Sequence, residues 1–102
     1  MTKPRWQMRR AAKVDANQTE IVKALRQIGC TVEHLHSVGR GCPDLLCGKN
    51  GINYLLEVKD GQKVKSQRKL TSDQVVWHQS WRGRVYVVES VEQAITIIQG
   101  KL

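Results

Sequence analysis

No apolar run in the chain approaches the roughly 18 residues that a membrane span requires. The opening MTKPRWQMRR also lacks the apolar stretch of a secretory signal. A membrane-spanning role is therefore not expected, and a cytoplasmic location is. Cysteine is scarce and unpaired: Cys30, Cys42 and Cys47 are odd in number and show no paired spacing, so a disulfide framework is not expected and a reducing compartment is. Acidic residues are few. Nine Asp and Glu stand against 17 Lys and Arg, giving a net charge of +8 and a pI near 9.8. Such an excess favours a polyanionic partner, and with no long basic amphipathic helix to lie on lipid, nucleic acid is the expected one. Internal repeats are absent too, and 102 residues leave room for a single compact domain.

What is present divides at about Asn17. Residues 1–16 form a basic arm, with Lys3, Arg5, Arg9, Arg10 and Lys13 and little to bury, and residues 17–102 form the expected domain. Ile21, Val22, Leu25 and Ile28 recur at helical spacing, with Asn17 placed to cap the helix and Gly29 to stop it. Thr31 to Ser37 is strand-like, and the breaker-rich Gly39-Arg40-Gly41-Cys42-Pro43 follows. Two short apolar runs flank Asn50-Gly51, a strong hairpin signal. A basic loop, a helix from about Ser72 to Arg82, a strand at Arg84 to Val88 and a helix opening at Ser90 complete the chain. The order is helix, three strands, helix, strand, helix, which is an α/β fold.

The hairpin carries the chemistry. If Asn50 and Gly51 are the central residues of a two-residue turn, Leu45 faces Leu56, Leu46 faces Leu55 and Asp44 faces Glu57. Directly opposed like charges are destabilising, so something must offset the repulsion. Strand alternation puts Lys59 on the same face as Glu57. A divalent cation fits between the acids: Mg²⁺ takes oxygen ligands and commonly uses one or two carboxylates together with substrate phosphate, and the Val58 backbone carbonyl could add a ligand. Lys59 could then orient or help deprotonate an attacking water. In outline this is a phosphodiester hydrolysis site.

Pro43-Asp44 followed by Glu57-Val58-Lys59 resembles the PD-(D/E)XK signature of the restriction-endonuclease-like nucleases. The longer strings GCPDLLCGKNGINYLLEVKDG, LTSDQVVWHQ and RVYVVESVEQA resemble the stand-alone VRR-NUC members of phages and bacteria, over about residues 17–99. The resemblance implies a mixed β-sheet flanked by helices, with an αβββαβ core plus a C-terminal helix. It also implies a Mg²⁺- or Mn²⁺-dependent endonuclease in a bacterial or phage-infected cell. Asp44 and Glu57 would be its metal ligands, Lys59 its catalytic lysine, Glu20 an additional acid and possible ligand, and Gln74 a supporting residue. Glu20 and Gln74 also stand at capping-box spacing from Asn17 and Thr71, so each has a helix-capping alternative.

Around this centre Arg40 and Ser37 on one side, and Lys63, Lys65, Arg68 and Lys69 on the other, are placed to meet DNA phosphates, with Arg9 and Arg10 of the arm as further contacts. A zinc site is not expected, since Cys30, His34, His36, Cys42 and Cys47 do not match structural zinc spacing. Trp77 and Trp81, four apart on one helix, suit core or dimer packing better than base stacking. So small a domain offers little surface for reading bases, and the resemblance points to four-way (Holliday) junctions, which a two-fold homodimer would match. The alternatives are the same chemistry on flaps, nicks or other branched DNA, and a basic DNA-binding module without activity.

Overall fold

The structure, a computed structural model, describes residues 15–100. Helix α1 (Gln18–Gln27) is followed by strands β1 (Thr31–His34), β2 (Leu45–Lys49) and β3 (Ile52–Val58). A 3₁₀ turn at Lys65–Gln67, helix α2 (Ser72–Ser80), strand β4 (Val85–Val88) and helix α3 (Val91–Ile98) come next. The strands lie in the order β1-β2-β3-β4, antiparallel through β3, with β4 parallel to β3. A parallel pair needs a crossover, and α2 supplies it. This mixed sheet with three helices is the α/β architecture that the sequence predicts, and its element order is that of a restriction-endonuclease-like core.

Strand alternation sorts the sheet into two unlike faces. On one, Val32, Leu45, Cys47, Leu56, Val58 and Val88 pack against Ile21, Val22 and Leu25 of α1 and Ala94, Ile97 and Ile98 of α3. These side chains form the core. The other face carries Leu46, Leu55, Glu57 and Val87, and α2, which has no fully buried residue, belongs to this side through its contacts with Glu57.

Three local expectations are corrected. Asn17 was expected to cap α1, yet it has helical backbone angles and no capping hydrogen bond. Its amide instead donates to the carbonyls of Lys59 at 3.0 Å and Glu89 at 3.1 Å, tying the helix start to the ends of β3 and β4. Strand β1 stops at His34 rather than running to Ser37, because the chain turns after Leu35, with the Val38 N–H donating to the Leu35 carbonyl at 2.9 Å. Helix α2 ends at Ser80, short of Arg82, since Trp81 is already extended.

The hairpin forms as its turn demands. Asn50 and Gly51 have φ of 53° and 78°. Both lie in the left-handed region that a type I′ turn requires, where Asn and Gly are tolerated best. Leu45 pairs with Leu56 and Leu46 with Leu55.

Candidate active site

Asp44 lies immediately before β2 and Glu57 is the penultimate residue of β3, so the hairpin register brings them together at its open end. The Asp44 Oδ2 accepts the Val58 N–H at 2.7 Å, which fixes one carboxylate on the backbone that carries the other. Glu57 is only 1% exposed. Burial, then a hydrogen bond to Asp44 and its charge, push the Glu57 carboxyl up to about 9, Asp15 adds to the effect, and Lys59 pulls the other way. Burial and the adjacent Asp44 therefore favour the neutral, protonated form of Glu57.

Helix α2 clamps this pair from outside. Thr71 caps it with a complete capping box: the Gln74 N–H donates to the Thr71 hydroxyl, and the Thr71 N–H donates to Gln74 Oε1 at 2.9 Å. The same Gln74 Oε1 accepts from Lys59 Nζ at 2.8 Å, and Gln74 Nε2 donates to Glu57 Oε2 at 3.2 Å. One side chain thus completes the helix cap and also touches both Lys59 and Glu57. One turn later His78 Nε2 stands 3.4 Å from Glu57 Oε1. Burial first and the Lys59 charge second lower the pKa of this imidazole, which favours its neutral form.

A left-handed loop presses on the same helix. Gly39, Arg40 and Gly41 all have positive φ, at 75°, 58° and 81°. A Cβ on Gly41 would stand 2.3 Å from the Asp73 carbonyl oxygen, so only glycine lets the loop reach the first turn of α2. This contact seats Pro43, which is buried, and with it Asp44.

The donor set fits a hard divalent cation: two adjacent carboxylates, one of them buried, with only partial neutralisation by Lys59. Among the described residues no group of three His, Cys, Asp or Glu side chains is gathered to hold an ion. A solved structure described as a VRR_NUC domain is similar to this chain over 90% of its length and 100% of that chain, with a TM-score of 0.66 and 28% sequence identity. This likeness supports membership of the VRR-NUC family. No family model matches the chain, and no curated protein does.

Other residues singled out in the sequence are dispersed around the Asp44 and Glu57 pair. Glu20 is exposed on the rim of a cleft shared with Asn17, Asp60, Gln62, Arg68 and Glu89, and forms no capping box. Arg40, Ser37, Lys65 and Lys69 are exposed, and Lys63 pairs with Asp15 at 3.5 Å. Arg68 is half-buried and ion-paired with Glu89 at 2.7 Å, which ties up much of its guanidinium. Arg9 and Arg10 lie outside the described residues. Cys30 and Cys47 are buried free thiols. The Trp77 and Trp81 rings stack at 4.7 Å, and Trp81 is 46% exposed, so it is not a core residue.

Two inward-facing polar residues escaped the sequence reading. Gln18 is 1% exposed, with its Nε2 3.4 Å from His34 Nδ1 and its Oε1 without a partner. It stands at the head of the stripe formed with Ile21, Val22 and Leu25, so helical spacing alone marked it as inward-facing. His78 had no such marker, because α2 buries no apolar stripe from which its inner face could be inferred.

Proposed function

We propose that the chain is a Mg²⁺- or Mn²⁺-dependent, structure-selective endodeoxyribonuclease. The observation that carries this reading is the opposed Asp44 and Glu57 pair, with Lys59 aligned by Gln74 beside it. Asp44, Glu57 and the Val58 carbonyl are the groups that would hold the cation. When bound, the cation supplies a Lewis acid for charge gathering on the phosphate oxygens.

The chain's own groups do the rest. Glu57 loses its proton to solvent, so that its carboxylate and that of Asp44 are both open to a cation. Lys59 Nζ, held by Gln74 Oε1, directs its remaining N–H donors at the water or the scissile phosphate. Hydrolysis forms a new P–O bond to the water oxygen and breaks one strand P–O bond, and the leaving oxygen takes up a proton. Glu20 is exposed, on the rim of a cleft with Asn17 and Asp60, and would add a further acid there.

The preferred substrate is branched DNA, with four-way junctions first, cut by a homodimer. The net charge of +8 supports binding through phosphates, and the small fold supports selection by shape. A two-fold homodimer would match the paired strands of a junction. The test is a panel of labelled intact junction, flap, nicked and linear duplex DNA incubated with Mg²⁺ or Mn²⁺. Paired symmetrical cuts in the junction are expected. Cuts confined to flap bases or nicks would redirect the substrate assignment, and binding without cleavage in either metal would leave a DNA-binding module.

A further inference from the structure

The Glu57 carboxylate is gripped on both oxygens by a single helix. Gln74 Nε2 meets Oε2 at 3.2 Å and His78 Nε2 meets Oε1 at 3.4 Å, from positions one helical turn apart on α2. Gln74 is already committed to Thr71 and Lys59, which leaves His78 as the group on α2 whose polar contact is with Glu57 alone. Its side chain is 13% exposed, and its ring stands edge-on to Trp77 with centroids 5.9 Å apart, so few orientations are open to it.

We propose that His78 is a positioning residue that sets the rotation of the Glu57 carboxylate for the divalent cation. The proposal rests on Glu57 being a cation ligand. A carboxylate oxygen carries two in-plane lone pairs. With the proton on Nε2, His78 would occupy one lone pair of Oε1 and leave the other for a cation. Without that donor the carboxylate is fixed on Oε2 alone and can turn about its terminal torsion, which has a broad, roughly two-fold profile. Helix α2 has no fully buried residue to hold it by packing, so its alignment over the acids depends on these polar contacts.

The test uses the full metal-free chain and Mn²⁺ alone, with free Mn²⁺ followed by electron paramagnetic resonance and folding by circular dichroism. His78→Leu is expected to weaken Mn²⁺ binding about tenfold, while His78→Gln, which places an amide donor at similar reach, stays within about threefold of wild type. Wild-type affinity in His78→Leu would overturn the proposal. So would equal weakening in both variants, since that would assign the effect to the ring's shape. Glu57→Gln is the control: loss of binding there with an unaffected His78→Leu sinks this inference alone, whereas retained binding in Glu57→Gln sinks the ligand assignment and the inference together.

Discussion

Asp44 accepts a hydrogen bond from the backbone of Val58, the residue next to Glu57, so each acid of the pair is located by the strand that bears the other. Asp44→Asn keeps an oxygen that can accept the Val58 N–H but removes the charge of a proposed cation ligand. Asp44→Asn is expected to reduce cleavage by more than the ~100-fold that follows loss of a supporting partner of a metal ligand. It should also abolish the rise in melting temperature that Mn²⁺ gives the wild type. Single-turnover rates and thermal melts with and without Mn²⁺ check both.

The raised Glu57 pKa makes the metal-free protein sensitive to pH. An unfolded Glu titrates near 4.5 and the folded one near 9. Between those values the folded state binds more protons than the unfolded state, so stability falls as pH rises through this window and is greatest on the acid side. Denaturant midpoints of the metal-free chain measured from pH 5 to pH 9 should fall accordingly, apart from contributions of other groups. Glu57→Gln should flatten the trend; an equal slope in that variant would assign it elsewhere.

Gln74 joins the helix cap to the lysine and the acid. Gln74→Ala loses the reciprocal half of the capping box, worth about 1 kcal/mol, together with the acceptor that aligns Lys59. Gln74→Glu keeps an acceptor for both Thr71 and Lys59 but sets a third carboxylate beside Glu57. Urea denaturation should show Gln74→Glu recovering the cap, while cleavage assays should show both variants impaired. Full activity in Gln74→Ala would reduce its role to capping.

Gly41 is where the loop before Pro43 touches α2. Gly41→Ala must place a methyl against the Asp73 carbonyl and hold alanine at a φ of 81°. Steric overpacking and left-handed strain together should destabilise the fold by about 2–4 kcal/mol. Gly39→Ala, with no atom within 4 Å of its Cβ, meets only the backbone strain and should lose less. Paired urea titrations give the comparison.

The hairpin, its register and the acid pair were legible because they depend on local chemistry: a turn dipeptide, alternation and short loop closure. Helix α1 and its buried stripe were legible for the same reason. What escaped was tertiary. Asn17 looked like a cap, yet two carbonyls from distant strands compete successfully for its amide. Arg68 looked like a free phosphate contact until the fold brought Glu89 to it. His78 showed no pattern at all, since an amphipathic face is the clue to a helix's inner side and α2 contributes no fully buried residue.

The Asn17 amide spans separations of 42 and 72 residues to reach its two acceptors. The hairpin is a local structure and can close early, whereas this tie cannot form until β4 has been made and docked. A chain still emerging from the ribosome would thus carry both acids of the proposed centre before α2 and β4 exist to hold them. The proposed centre would therefore be held in place only once β4 has docked.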